Sequence, residues 1–462
     1  MFYRTFLKCN RSACLSSQKE VGILQPYVKS FRYGWSSWSI LVIAFITVFF
    51  HRLSVGSVAD ELTREIPMNS VTLGNLTAMN YYAYALMQIP VGILVDRIGV
   101  RKINFCGLLV TAAGSILFGL AHTLEAAYLS RFLVGIGSSV IIVSIFKIQA
   151  TWFPLSRFSV LSGLTSFFGN FGSLLALYPL TFLSLTFGWR NVFYWMAGIS
   201  LLLALLVLWG VRDARTEIYS PPRETAAAGS TGPTGSVSPL SRKHSQTPEH
   251  TSTAVKPLPF LAYLKESLSC VLKNPRTWPN VLILFAFTGS STTLLGLWGI
   301  PLMTQLYSLD KATAAGYVTF ATFGFILGAP LISLWVRLLK GIRPALLAGT
   351  GLNLLLWIYI VIIAGGRPAA ELWPAFFFIF GLLIMTHILA FSNVTAVNPL
   401  NYSGMATAIT NMAEFIGSSL ASLTIGLILD FSGNPSAAWW VILSMAALGF
   451  MAALLMKEQP AS

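Results

Sequence analysis

The segment Gly92-Ile-Leu-Val-Asp96-Arg97-Ile-Gly99-Val-Arg101-Lys102 joins two long apolar runs through a short, charged turn. Residues 71–95 form the run that ends in this segment, and residues 103–121 form the run that follows it. Each run is close to the ~20 residues that a helix needs to cross a ~30 Å hydrocarbon core. Because glycine permits a tight reversal and cations favour the water outside the core, the segment predicts two membrane-spanning helices joined by a polar turn.

Apolar runs of this length recur along the whole chain of 462 residues. Hydrophobic residues make up 55% of the sequence and charged residues 10%, against roughly 25% charged in a typical soluble domain, which excludes a soluble protein. The sequence therefore predicts an all-α polytopic membrane protein with twelve transmembrane helices. The predicted spans are residues 35–58, 71–95, 103–121, 127–150, 160–187, 191–211, 280–303, 314–336, 344–364, 372–394, 403–429 and 437–456.

The twelve spans fall into two six-helix bundles, residues 35–211 and 280–456. A basic tail precedes them at residues 1–34, and a short tail follows at residues 457–462. The linker at 212–279 is rich in Ser, Thr, Pro and Gly in its middle and ends in a predicted interfacial helix. Because the middle of the linker cannot bury enough apolar surface to order itself, it is expected to be a flexible tether.

The formal charge of +14 is explained by where the cations lie. Most Lys and Arg residues fall on one side of the membrane when both termini are placed in the cytoplasm, as the positive-inside rule requires. The charge therefore indicates orientation, and nucleic-acid binding loses its main support. Four cysteines without paired or metal-ligand spacing exclude a disulfide-stapled domain and predict no metal site. We expect a multi-pass protein of the cell (inner or plasma) membrane.

The two bundles are related by an internal repeat, which is clearest in the fifth and eleventh spans. Residues 162–170 and 403–411 both begin with Ser-Gly, carry a hydroxyl side chain four residues after that Ser and end in Asn. Carriers built from repeats bind their substrates between the repeats, near the bilayer midplane. The repeat therefore favours a transporter.

The charged turn after the second span resembles the signature of the major facilitator superfamily between its helices two and three. A second resemblance is the Arg-x-x-x-Gly-x-Gly pattern in the fourth span. The first resemblance implies that Asp96 meets the start of the eleventh helix near Ser403 and latches the bundles in the outward-open state. The residues assigned to this latch are Gly92, Asp96, Arg97, Gly99 and Arg101, and those of the fourth helix, with a structural or coupling role, are Arg131, Gly135 and Gly137.

Four charged side chains lie inside predicted spans, where an ionised group is costly unless it faces water or a partner. Lys147 is close enough to the cytoplasmic end of its span to reach the interface, and the other three are candidate functional residues: Arg52, Arg131 and Glu414. Arg52 favours an organic anion, because a guanidinium recognises a carboxylate through a fixed fork of donors. Arg131 lies near the outer end of its span, where it either faces the cavity or pairs with Glu125. Glu414 either takes up and releases a proton during transport or holds a substrate amine.

Polar side chains at helical spacing extend these charges into stripes. One stripe runs along the eleventh span and includes Asn411 and Glu414, and another runs along the second span. Such stripes either line a wet cavity or hold helices together in lipid. The candidate substrate-binding residues are His51, Arg52, Asn80, Tyr81, Tyr84, Gln88 and Asn411, with Glu414 as the candidate for proton coupling.

These features predict a secondary-active transporter that moves a small anionic or zwitterionic solute (an organic acid, a sugar phosphate or an amino acid) by alternating access with proton symport. The general character of the first two spans resembles that of bacterial organic-anion and amino-acid carriers of the superfamily. Its partners would be the solute, H⁺ and the lipid bilayer, with no cofactor, and the protein would be a monomer. A transport-inactive sensor and an exporter or antiporter are the alternatives. The fifth span lacks the Gly-Pro-x-x-Gly-Gly pattern of drug/proton antiporters, and no P-loop or hydrolase motif supports an enzyme.

Overall fold

The computed structural model describes residues 21–153, 155–213, 260–399 and 402–457. Most of the predicted basic tail and most of the predicted linker lie outside these residues. Within them the chain is helical, and no strand is found.

The first bundle is built from eight helices. Its first helix, α1, begins before the apolar run at residue 35, because a helix can continue beyond the lipid while the apolar run marks only the part inside it. The helices are α1 (Val21–Ser57), α2 (Ala59–Glu65), α3 (Ser70–Ile98), α4 (Val100–Leu120), α5 (Leu124–Trp152), α6 (Leu155–Ala176), α7 (Tyr178–Phe187) and α8 (Trp189–Gly210).

The second bundle follows helix α9 (Phe260–Lys273), the helix predicted to be interfacial. The hydroxyl of Tyr402 donates a hydrogen bond to Oε1 of Glu266 in this helix at 2.8 Å. A π-helical turn at Leu294–Trp298 joins α10 to α11, and another at Tyr359–Ile363 extends α13. The helices are α10 (Thr277–Thr293), α11 (Gly299–Tyr307), α12 (Lys311–Leu338), α13 (Ile342–Ile358), α14 (Trp373–Ile384), α15 (Ile388–Val397), α16 (Ser403–Ser432) and α17 (Ala438–Leu455).

Eleven helical segments among the described residues are long and apolar enough to cross a membrane. Helix α3 has 29 residues and occupies the place of the remaining predicted span, but it is not one of the eleven. Helix α3 carries the polar stripe of the second predicted span, and these polar side chains lower its mean hydropathy. The prediction of an all-α polytopic membrane fold is confirmed.

The charged turn of the opening segment lies between α3 and α4. Gly99 has a φ of 92°, a conformation that side-chain-bearing residues rarely adopt, and it ends α3 and begins α4. The carboxylate of Asp213 lies against Gly99, and its Oδ1 accepts a hydrogen bond from the backbone N–H of Arg101 at 3.2 Å. The tight turn is thus braced by the residues that follow α8.

Two ends of the molecule can be told apart by their residues. We call the end with Ser57, Ser70, Lys311 and Ser432 the Ser70 face, and the end with Arg97 and Ser403 the Arg97 face.

The two bundles pack closely toward the Ser70 face. Gly74 of α3 lies against the backbone of Ser422 in α16, and Gly426 of α16 lies against the backbone of Ser70. Small residues allow two helix backbones to approach in this way. The bundles are therefore closed at the Ser70 face.

Candidate functional site

A buried ion pair joins the two bundles. Nη1 of Arg52 on α1 lies 3.3 Å from Oε1 of Glu414 on α16. Arg52 is 8% exposed and Glu414 is 7% exposed. Two intramembrane charges that the sequence singled out separately are therefore partners, and together they are neutral.

Three aromatic rings surround the guanidinium of Arg52. Its Cζ lies 5.0 Å from the centroid of the Phe49 ring, 5.3 Å from that of Tyr84 and 4.9 Å from that of Phe415. The Tyr84 and Phe415 rings come from different bundles, and their centroids are 4.5 Å apart. Rings in these positions attract a cation through their negative faces and exclude water from it.

Other predicted binding residues of α3 and α16 extend the site toward the Arg97 face. The hydroxyl of Tyr81 donates a hydrogen bond to the backbone oxygen of Arg52 at 3.3 Å. Gln88 is one helical turn beyond Tyr84, and Asn411 is about one turn from Glu414; both are half-buried. Nε of Arg52 and Nε2 of Gln88 are buried and have no hydrogen-bond partner among the described residues. Buried donors of this kind are costly unless something accepts from them.

A second polar cluster lies inside the first bundle and contains His51, Asn80 and Arg131. Arg131 is 1% exposed, and its Nη2 donates to the backbone oxygen of His51 at 2.5 Å. Nε2 of His51 is 3.3 Å from the hydroxyl of Ser115, while Nδ2 of Asn80 donates to the backbone oxygen of Arg131 at 3.5 Å. Glu125 is exposed and forms no described contact with Arg131. His51 and Asn80 are thus placed beside Arg131, one layer behind the Arg52–Glu414 pair.

The glycines of the fourth-span pattern have a packing role. Gly135 of α5 lies against the backbone oxygen of Asn80 in α3, and Gly137 lies against the backbone oxygen of Gly107 in α4. A side chain at either position would have to displace backbone atoms.

The predicted latch segment is described only in part. The side chain of Asp96 lies outside the described residues, Arg97 is exposed, and Gly92 has open space where a side chain would be. The contact between Asp96 and the start of the eleventh span stays a prediction.

Sequence reasoning found Tyr84 but missed the other two aromatic rings around Arg52. Phe49 lies three residues before Arg52, and Phe415 directly follows Glu414, so their positions next to the two charges were the available signal. No group of three or more His, Cys, Asp or Glu side chains that could hold a metal was found among the described residues.

Two helical bundles that meet at a buried charged pair and pack closely at one face have the architecture of a membrane carrier. The chain matches the model of the Major Facilitator Superfamily over residues 37–422 and belongs to that superfamily. The resemblance deduced from the charged turn is confirmed, and the protein is a membrane transporter of this superfamily.

Relatives and solved structures agree with this membership. An uncharacterized transporter of Bacillus subtilis, YybO, is 23% identical over 449 residues, covering 91% of this chain and 94% of that protein. The probable galactarate/D-glucarate transporter GarP of Escherichia coli is 28% identical over 36% of this chain and 40% of its own length. A bacterial homolog of the human lysosomal transporter Spinster, solved in an inward-facing and unoccupied conformation, shares the fold with a TM-score of 0.65 at 18% identity, over 93% of this chain and 99% of that one.

Proposed function

We propose that the protein is a secondary-active transporter of a small organic anion, that Arg52 binds a carboxylate of the solute, and that Glu414 couples transport to protons. The observation that carries the proposal is the buried ion pair between Arg52 and Glu414 at the interface of the bundles. A guanidinium offers a carboxylate two parallel hydrogen bonds, and here it already holds one carboxylate of the protein. The similarity to GarP supports a sugar diacid as the kind of solute.

Competition for Arg52 would link the solute to the proton. In the empty carrier, Glu414 neutralises Arg52, so an entering anion must displace a carboxylate of like charge. Protonation of Glu414 removes that competitor and leaves Arg52 as an unpaired buried cation, which is costly until an anion arrives. Proton and anion therefore bind better together than either does alone, which is the thermodynamic condition for symport.

Phe415 would position Arg52 for this exchange. It follows Glu414 on α16, so its ring and the carboxylate move together when α16 moves. Its ring touches both Arg52 and Tyr84, which belong to the other bundle. A change in the angle between the bundles would thus remove a ring and a counter-charge from Arg52 in one step.

We also propose that the Ser70 face is the outer face and that both termini are cytoplasmic. The cations of the charged turn, Arg97, Arg101 and Lys102, are exposed at the Arg97 face and support this orientation through the positive-inside rule. In the proposed cycle, the solute would reach the site from the Arg97 face past Gln88 and Asn411.

Thermal unfolding of the purified protein with candidate solutes tests the proposal. Galactarate, D-glucarate, a neutral sugar and an organic amine would be compared on the wild type and on Arg52→Lys. The diacids should raise Tm, since a ligand at 100 times its Kd stabilises by about 2.7 kcal/mol, and the other two should not. Arg52→Lys keeps the charge but loses the fork, so its response to the diacids should fall sharply. A response confined to the sugar or the amine, or a full response in Arg52→Lys, would refute the anion site.

A further inference from the structure

A carboxylate at the end of one helix caps the start of a helix in the other bundle. Asp430 lies in the last turn of α16 at the Ser70 face. Its Oδ1 accepts from the backbone N–H of Ser70 at 3.0 Å, and its Oδ2 accepts from that of Val71 at 3.1 Å. Ser70 and Val71 are the first two residues of α3.

The chemistry of a helix start explains why this contact is favourable. The first backbone N–H groups of a helix have no partner within the helix, and the helix dipole favours a negative charge beside them. The side-chain oxygen of Asn69, which precedes α3, accepts a hydrogen bond from the backbone N–H of Thr72. Asp430 therefore supplies acceptors that the first bundle does not provide for itself.

A second polar contact joins the bundles at the same face. Glu61 of α2 forms an ion pair with Lys311, the first residue of α12. Both side chains are partly shielded, with 21% and 10% exposure respectively. Next to the Asp430 contact, α3 and α16 approach closely at Gly74 and Gly426.

We propose that Asp430 and the Glu61–Lys311 pair form a latch that holds the Ser70 face closed and must open once in every transport cycle. The proposal rests on the alternating access of the proposed function. Asp96, near the opposite end of α3, is assigned by the family resemblance to a latch in the other state. The two acids would then cap opposite ends of the same pair of helices, α3 and α16, one in each state.

The chain contains matched contacts that lie within one bundle and cannot act as latches. Asp213, which directly follows the first bundle, accepts from the backbone N–H of Arg101 near the start of α4, so this contact does not join the two bundles. Glu65 pairs with Arg190 at 2.6 Å, again within the first bundle. Asp213→Ala and Glu65→Gln are therefore controls for Asp430→Ala and Glu61→Gln, since they remove the same chemistry without separating the bundles.

Pulsed electron–electron resonance on the full-length protein in lipid nanodiscs measures the width of the Ser70 face directly. Spin labels would be placed at Arg64→Cys and Asn434→Cys, both exposed positions on opposite bundles, after the four native cysteines are replaced by Ser. Asp430→Ala should raise the ratio of the wide to the narrow population about tenfold, which corresponds to about 1.4 kcal/mol. Glu61→Gln should shift it in the same direction, and the two control variants should not shift it.

An unchanged distance distribution in both latch variants, or an equal shift in the controls, would overturn the proposal. If Asp430→Ala does not fold, Glu61→Gln and Lys311→Gln, which remove the ion pair without changing the backbone or the end of α16, decide the question. This experiment contains no solute, so a negative result would refute the latch and would not bear on the proposed anion site. If instead the wild type does not bind the anion, the proposed function is wrong, but the measured distances are not affected.

Discussion

Arg52 and Glu414 are 362 residues apart in the chain, and their side chains meet at 3.3 Å between the two bundles. Each is almost fully buried, so neither charge is solvated and each depends on the other. In the proposed transport cycle the bundles move relative to one another and this contact changes. The pair would then link the conformation of the protein to the charge state of its centre.

Removing one member of the pair should destabilise the protein more than removing both. Glu414→Gln leaves Arg52 buried without a counter-charge, and a guanidinium cannot lose its proton, so the free energy of unfolding should fall by about 3–5 kcal/mol. Arg52→Gln combined with Glu414→Gln should recover much of this loss, because two neutral amides can pair. Denaturant unfolding of the single and double variants in detergent measures the coupling. Additive losses would show that the two side chains do not interact energetically.

Loss of the ring at position 415 should weaken solute binding. Phe415→Leu removes a cation–π contact with Arg52 and a ring contact with Tyr84, so KM for uptake should rise about tenfold. Phe415→Tyr keeps the ring and should remain near the wild-type KM.

The neighbour Ile416 provides the control for that variant. Its side chain is 42% exposed on the outside of the same helix, so Ile416→Ala should leave KM unchanged. An equal rise in KM for Ile416→Ala and Phe415→Leu would indicate a general effect on α16 and remove Phe415 from the site.

Glycines in the first bundle should differ in their tolerance of a methyl group. Gly137→Ala places a Cβ against the backbone of α4 and should lower the free energy of unfolding by about 1–3 kcal/mol. Gly163→Ala meets no atom within 4 Å and should be neutral or slightly stabilising, since alanine favours a helix. Thermal unfolding of both variants provides the comparison, and a stable Gly137→Ala would mean that α4 and α5 can separate at little cost.

The helices were predictable because the lipid imposes a length on every apolar run. The predicted span at residues 103–121 corresponds to α4, Val100–Leu120, and similar agreement holds along the chain. The periodicity could not predict which faces of the helices contact each other. Asn80 and Tyr81 are adjacent in α3, yet the side chain of Asn80 contacts Arg131 while that of Tyr81 contacts Arg52.

Contacts between the two bundles could not be predicted from the sequence for a related reason. Arg52 and Glu414 each stood out as rare charges in lipid, but nothing in either local sequence says that α1 and α16 meet. Asp430 and Glu61 lie near the ends of helices, outside the apolar spans, where a charged side chain is not unusual, so they gave no signal. The aromatic rings of Phe49 and Phe415 were hidden for the opposite reason, since apolar side chains are expected throughout a membrane span.

Uptake of radiolabelled galactarate into proteoliposomes, driven by an inwardly directed proton gradient, tests the coupling through Glu414 most directly. The wild type should accumulate the solute above its external concentration. Glu414→Gln should still exchange external for internal galactarate but should not accumulate it when the gradient is applied, because its side chain cannot carry a proton. Accumulation by Glu414→Gln equal to that of the wild type, with the same dependence on the gradient, would contradict the account.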